Sequence, residues 1–270
     1  MESADSNSSS RFTVNRLRAG EWLQTDDDLI EEVPIAFEYN GISHAVMLAS
    51  PQDLEEFALG FSLSEGICAN AKDFYEIEVA STAAGITLQI KISSEAFMKL
   101  KEQRRNLTGR TGCGLCGTES LDQVIRLLPP CHTTQMLSAA SVRRALANLN
   151  DLQPLNKLTG ATHAAAWCAS NGELLAVFED VGRHNALDKL IGAVTRRCIN
   201  LQDGFVLMTS RASVELVQKA ATVGVSALVA ISAPTGLAVR TAQGCGMTLL
   251  AFARGEEFVA YANSQNIRVD

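Results

Sequence analysis

No stretch of this 270-residue chain stays apolar for anything near the about 18 residues that a membrane-crossing helix needs. The opening residues, MESADSNSSSRF, lack the basic and then apolar order of a secretory leader. They are polar and acidic, and residues 1–20 read as a disordered tail. An excess of positive charge is missing too. At a net charge of −7 the chain is not one that grips nucleic-acid phosphates over a broad face, although a local basic pocket for one anionic ligand remains compatible. The seven cysteines are odd in number and scattered except for one close pair. That usage argues against a disulfide framework and fits a reducing cytoplasm. The Walker lysine loop and the G-x-G-x-x-G phosphate loop are both absent. So is the H-x-E segment of a zinc deaminase, since His44 is followed by Ala45 and Val46. These absences leave a cytoplasmic protein, with neither nucleic acid nor membrane as partner, and weaken the case for zinc.

What is present is an ordinary globular composition, 47% hydrophobic and 20% charged. Ile35, Phe37 and Tyr39 alternate ahead of Asn40-Gly41, a strong hairpin signal. Ser50-Pro51 then opens a helix, with Asp53 placed to cap it. Leu54, Phe57, Ala58 and Phe61 follow at helical spacing, and Gly66 is the expected stop. YEIEVA and ITLQIKI alternate strictly around a turn at 83–85, and SEAFMKLKEQ reads as a short helix. Residues 104–136 show no periodicity beyond SLDQVIRLL. From 161 onward near-continuous apolar strands alternate with amphipathic helices, the mark of a sheet covered by helices and at least partly parallel. The fold class is therefore α/β, with α+β as the alternative: a mixed sheet flanked by helices, plus a smaller strand-rich N-terminal part. The expected divisions are the tail at 1–20, the strand-rich part at 21–136 with a glycine-rich cysteine loop at 104–120, and an α/β core at 137–270.

In that core, polar residues recur where strands end and helices begin. Arg183 and His184 follow LLAVFEDV; Ser210, Arg211 and Ser213 follow GFVLMT; Ser232 and Thr235 follow ALVAI; Arg254 follows MTLLAF. Ligands of open α/β sheets bind outside the carboxyl ends of strands, where helix N-termini offer N–H groups to anions. Arginines add bidentate donors for phosphate or carboxylate. The implied ligand is a phosphorylated small molecule such as a nucleotide or a larger phosphate-bearing cofactor. Taken singly, each serine or threonine is an ordinary helix cap and each arginine a solvated side chain; the recurrence is what suggests a site. Asp180 and Glu179 either orient Arg183 and His184 or simply end a strand.

TGRTGCGLCGTESL, residues 108–121, places Cys113 and Cys116 two residues apart among glycines 109, 112, 114 and 117. A metal is weakly supported, because the further ligands at hand, Cys131 and His132, are adjacent and neighbouring side chains seldom converge on one ion. A thioredoxin-like dithiol normally opens a helix after a strand, a setting not seen here. The third possibility is sulfur carriage: a thiolate favoured by Arg110 accepts sulfur as a persulfide, and the glycines let the loop swing between donor and acceptor. Spacing alone does not rank carriage above a redox role.

TGRTGCGLCG, FEDVGRHNALDKLIG, SRASVELVQKAA and ISAPTGLAVRTAQ, in that order, resemble the FdhD family of formate dehydrogenase accessory sulfurtransferases, from about residue 30 to the C-terminus. The resemblance implies a cytidine deaminase-like core without zinc and a homodimer. It implies that a cysteine desulfurase supplies the sulfur, held as a persulfide. The sulfur then passes to molybdenum bis(molybdopterin guanine dinucleotide), which a guanine nucleotide would mimic, for the benefit of formate dehydrogenase. By the same resemblance Cys113 is the persulfide-bearing residue and Cys116 its partner. Phe252, Ala253, Arg254, Gly255, Glu256 and Glu257 match a cofactor-binding stretch, while GRHNALDK and SRAS line the nucleotide pocket. The alternative is a cofactor-binding chaperone whose cysteine pair is only a redox latch.

Overall fold

The computed structural model describes residues 8–108, 128–131 and 136–269, with side chains at 103–108 left aside. Strands β1 (Ser9–Arg18) and β2 (Glu21–Ile30) form a two-stranded antiparallel ribbon. Residues 9–18 are thus a strand rather than a tail: alternating side chains and the Ala19-Gly20 turn, both at positive φ, suit a hairpin.

A four-stranded sheet follows, in the order β4-β3-β6-β5. It is built from β3 (Val33–Tyr39), β4 (Ile42–Ala49), β5 (Phe74–Thr82) and β6 (Gly85–Ile92). The hairpin at Asn40-Gly41 is as expected, with both residues at positive φ, and β5 pairs antiparallel with β6. Helix α1 (Leu54–Ser64) begins where its spacing predicts, but Asp53 does not cap it. Asp53 lies in the left-handed region and its side chain makes no capping bond. Helix α2 (Ser94–Thr108) runs several residues further than SEAFMKLKEQ implies.

The second sheet has six strands in the order β13-β12-β11-β10-β8-β9. Its members are β8 (His163–Ala169), β9 (Leu174–Asp180), β10 (Gly204–Met208), β11 (Ala227–Ala230), β12 (Thr248–Arg254) and β13 (Glu257–Ala262). The central β10, β11 and β12 are parallel, and antiparallel pairings complete both sides, so the sheet is mixed. A short parallel pair, β7 (Leu137–Ser138) with β14 (Ile267–Arg268), stands apart from it.

Alternation along these strands sorts the core into two layers. Ala165, Trp167, Val206, Met208, Leu228, Leu249 and Ala251 face α1, α5 (Arg183–Arg196), α6 (Val214–Thr222) and α7 (Gly236–Cys245). Ala166, Cys168, Phe205, Leu207, Val229 and Leu250 face α3 (Ala139–Leu149) on the other side, ahead of the short α4 (Pro154–Thr159). A sheet buried on both faces explains why its strands read as apolar runs. The two sheets lie on either side of residue 136 in the chain, yet α1 packs with α5 and the first core layer is continuous from Ile35 to Ala262.

The α1–α5 crossing depends on two glycines. A Cβ on Gly60 would overlap the carbonyl of Asp188, and one on Gly192 would overlap that of Glu56. With the backbones this close, buried ion pairs line the same seam. Lys189 meets Asp180 at 2.7 Å, and Lys219 meets Asp188 at 2.8 Å and Glu65 at 2.7 Å.

Candidate functional site

Because β9 pairs antiparallel with β8, and β8 antiparallel with β10, strands β9 to β12 all end at one edge of the sheet. The loops leaving that edge are hydrogen-bonded to one another. Ala212 N donates to Ala233 O at 3.1 Å, Thr235 N to Ala212 O at 3.0 Å, and Phe252 N to Ser232 O at 3.2 Å. Arg254 Nε reaches Ile231 O at 3.3 Å, laying its guanidinium against the end of β11. The structure thus brings Ser210, Arg211, Ser213, Ser232, Thr235 and Arg254 to one surface, beside Arg183 and His184 at the start of α5.

The most informative atoms lie at that start. Arg183 Nε and His184 Nε2 are buried with no hydrogen-bond partner among the described residues. His184 Nε2 lies 3.9 Å from the Glu215 carboxylate, too far for a hydrogen bond. Burial above all, then the neighbouring charges of Arg183 and Lys219, pushes the imidazole down to about 4, so it is neutral at pH 7. Buried polar atoms are nearly always paired, and two orphans beside an uncapped helix N-terminus are a place where a ligand would complete the bonding. Gly182, the N-cap residue of α5, has no side chain to cap it, and Ser213 makes no capping bond to α6. The N–H groups of two helices therefore face the same edge.

Not every predicted residue is free to serve. Thr235 caps α7, accepting from Ala238 N at 3.2 Å, and the Ser210 hydroxyl donates to Arg211 O at 3.1 Å. Here the ordinary capping and loop-tying roles apply. In the stretch 252–257, Ala253 is buried against the α3 layer and contributes packing. Glu256 is tied to Arg143 at 3.1 Å, and Arg254 faces Glu257 across the Gly255 turn. Phe252 is exposed with a φ of 51°, left-handed backbone that a bulky residue rarely adopts.

Asp180 and Glu179 orient neither Arg183 nor His184. Asp180 accepts from Ser50 N, Gly182 N and Asn185 Nδ2, clamping the α1 entry to the α5 entry. Glu179 accepts from Leu155 N, Asn156 N and Thr162 Oγ1, seating α4. His163, opposite Asp180 in the β8–β9 register, is one residue that sequence reasoning missed. Burial, and secondarily Arg183, lowers its pKa. Its only signal was its position at the first residue of an antiparallel strand, hence at the same edge. Lys189 was missed as well, because it falls inside an otherwise amphipathic helix.

Cys113, Cys116, Arg110 and His132 lie outside the described residues. Leu128 and Cys131 pack in the first core layer, and Cys131 N–H donates to Cys245 O at 2.7 Å. Cys131 is therefore placed beside Cys245, at the end of α7. Among the described residues no three His, Cys, Asp or Glu side chains converge as a metal site, and no helix is long and apolar enough to cross a membrane.

Residues 30–268 match the FdhD/NarQ family. Sulfur carrier protein FdhD of Cupriavidus necator is 53% identical over 259 residues, covering 96% of this chain and 90% of that one. The protein of the same name from Variovorax paradoxus is 51% identical over 250 residues, covering 93% and 90%. That from Xanthomonas euvesicatoria is 48% identical over 255 residues, covering 94% and 91%. The crystal structure of a candidate formate dehydrogenase accessory protein from Desulfotalea psychrophila superposes with a TM-score of 0.77 at 23% identity, over 96% of this chain and 99% of that one, and so shares the fold. The motifs, the mixed sheet and these relatives agree: the chain belongs to the FdhD/NarQ family.

Proposed function

We propose that this protein is a sulfur carrier that accepts sulfur on Cys113 and delivers it to a phosphate-bearing cofactor held at the strand ends. The observation that carries the reading is the C-G-L-C-G pair at 113–117 in a chain 48–53% identical to proteins named sulfur carriers. The donor step is a thiol exchange: the Cys113 thiolate attacks the terminal sulfur of a cysteine desulfurase persulfide, the donor S–S bond breaks, and the donor thiolate leaves. No net oxidation is needed, and Cys116 stands ready to relay the sulfur.

The acceptor in this reading is molybdenum bis(molybdopterin guanine dinucleotide), a substrate with two pyrophosphates, destined for formate dehydrogenase. The residues present fit its phosphate ends. Among the described residues, Arg183 Nε and the neutral His184 Nε2 are buried without a partner, and the α5 and α6 N-termini lack side-chain caps. Arg211 and Arg254 at the same edge add charge. Holding the acceptor within reach of the persulfide makes the transfer effectively intramolecular.

The deciding experiment is intact mass after incubation with an active desulfurase and cysteine, on wild type, Cys113→Ala and Cys116→Ala. A reductant-sensitive gain of one sulfur, absent in Cys113→Ala, is the expected result. No gain in wild type would overturn carriage and leave a cofactor-binding chaperone with a redox latch.

A further inference from the structure

Cys131 and Cys245 are 114 positions apart in sequence, and their Sγ atoms lie 3.9 Å apart. Both cysteines are only 8% exposed. The same two residues share a backbone hydrogen bond of 2.7 Å, so their main chains are pinned side by side whatever their side chains do. A disulfide brings the sulfurs to about 2 Å, a further approach that this main-chain pairing already favours. The other described cysteines offer nothing similar. Cys68 and Cys168 are buried with no thiol beside them among the described residues, burial driving both pKa values up, and Cys198 is exposed.

We infer that Cys131 and Cys245 are a second dithiol, distinct from the Cys113–Cys116 pair, that a small two-electron oxidant converts reversibly into a disulfide stapling Cys131 to the end of α7. The hydrogen bond between the two sulfurs favours a thiolate on one of them, Cys245 in the arrangement seen. A hydrogen bond from Cys131, the largest influence, outweighs burial and brings its pKa down to about 6, while the same contact pushes Cys131 up. The chemistry balances with hydrogen peroxide as oxidant. The Cys245 thiolate attacks one peroxide oxygen, the O–O bond breaks, and hydroxide leaves, giving a sulfenic acid. The Cys131 thiol then displaces its oxygen as water and forms the S–S bond. In sum, two thiols and one peroxide give one disulfide and two waters. The low exposure selects for an oxidant of this size over a bulky disulfide such as oxidised glutathione.

The placement gives the staple its consequence. Leu128 and Cys131 pack in the first core layer. Helix α7 runs back from the arginine-bearing edge, so its last residue lies at the opposite end of the sheet. Oxidation would tie Cys131 to the last residue of α7 at that far end.

The test uses the full chain carrying Cys113→Ser and Cys116→Ser, and the unsubstituted chain beside it. Each is treated with hydrogen peroxide, alkylated under denaturing conditions, and digested without reductant. Loss of two hydrogens, a linked peptide joining residues 131 and 245 in both chains, and full reversal by dithiothreitol are expected. Adding Cys245→Ser should abolish the link and leave a free Cys131, and the oxidised chain should unfold at a higher temperature than the reduced one. If both thiols remain alkylatable once Cys198 has been oxidised, or if the link joins other cysteines, the inference is overturned.

Discussion

Lys189 and Asp180 meet at 2.7 Å with both side chains wholly removed from solvent. The ammonium also donates to Ser50 O at 3.0 Å, and the carboxylate takes three further donors, so the pair joins the entries of α1 and α5 beneath the candidate site. Removing one partner leaves an uncompensated buried charge. Lys189→Met should therefore cost about 3–5 kcal/mol in urea denaturation. The double variant Lys189→Met with Asp180→Asn should recover a substantial part of that loss, because replacing a buried pair is less harmful than breaking it. Equal losses in the single and double variants would show that the carboxylate needs no counter-charge.

The α1–α5 crossing allows no side chain at two positions. Gly60→Ala and Gly192→Ala each set a methyl group against backbone rather than against a movable side chain. Each should destabilise at or above the upper end of the range for overpacking, about 3 kcal/mol. Gly224→Ala is the comparison. Its Cβ would meet nothing within 4 Å, and only its φ of 86° resists. A smaller loss there, measured by the same denaturant titration, would separate collision from backbone strain.

His184 sets a pH dependence whose sign follows from its depressed folded-state pKa. The unfolded chain binds the proton near the usual 6.5, while the folded protein takes it up only near 4. Between those values the unfolded state holds more protons, so stability is complete above about pH 6.5 and is lost as pH falls toward 4. His184→Gln should remove roughly 2–3 kcal/mol of that acid-side loss. His163 is also lowered and remains in the variant, so the slope shrinks rather than vanishes. Identical wild-type and variant profiles from pH 7 to 4 would contradict the assignment.

A phosphate ligand at Arg183 would change that titration. Guanosine diphosphate, the soluble probe nearest to the proposed substrate's ends, should bind with proton uptake between pH 6.5 and 4, detectable by calorimetry in buffers of different ionisation enthalpy. Arg183→Ala and Arg254→Ala should each weaken it by about tenfold to a hundredfold, the range for a charge-assisted hydrogen bond. Thr235→Ala should weaken α7 more than it weakens the nucleotide, since that hydroxyl already caps the helix.

Much of this was legible in the chain itself, for identifiable reasons. The Asn40-Gly41 hairpin, α1 from Leu54, and the buried strands of the second sheet follow from local rules that tertiary context did not override. The recurrence of Arg183, Arg211 and Arg254 at strand ends located the arginine-bearing edge before any coordinates. Other features were invisible because they are relations between distant residues. Asp53 looks like a cap, yet the chain turns there through the left-handed region. Ser9 to Arg18 looks like a tail because seven of its ten residues are polar, which a solvated ribbon tolerates. Asp180 looks like a partner for the next two basic residues, but its partners are Ser50, Gly182, Asn185 and Lys189. The Cys131–Cys245 approach leaves no mark on sequence spacing at all.

The ribbon and the core also give the molecule a useful optical property. Its two tryptophans are Trp22, on β2 and 70% exposed, and Trp167, in β8 and 1% exposed. One indole is surrounded by water and the other by packed side chains. Emission from Trp22 will be red and open to quenching by iodide, while that from Trp167 will be blue and shielded. Unfolding of the central sheet and any event that covers the ribbon can then be followed by colour in a single unlabelled sample, with Trp22→Phe and Trp167→Phe isolating each signal.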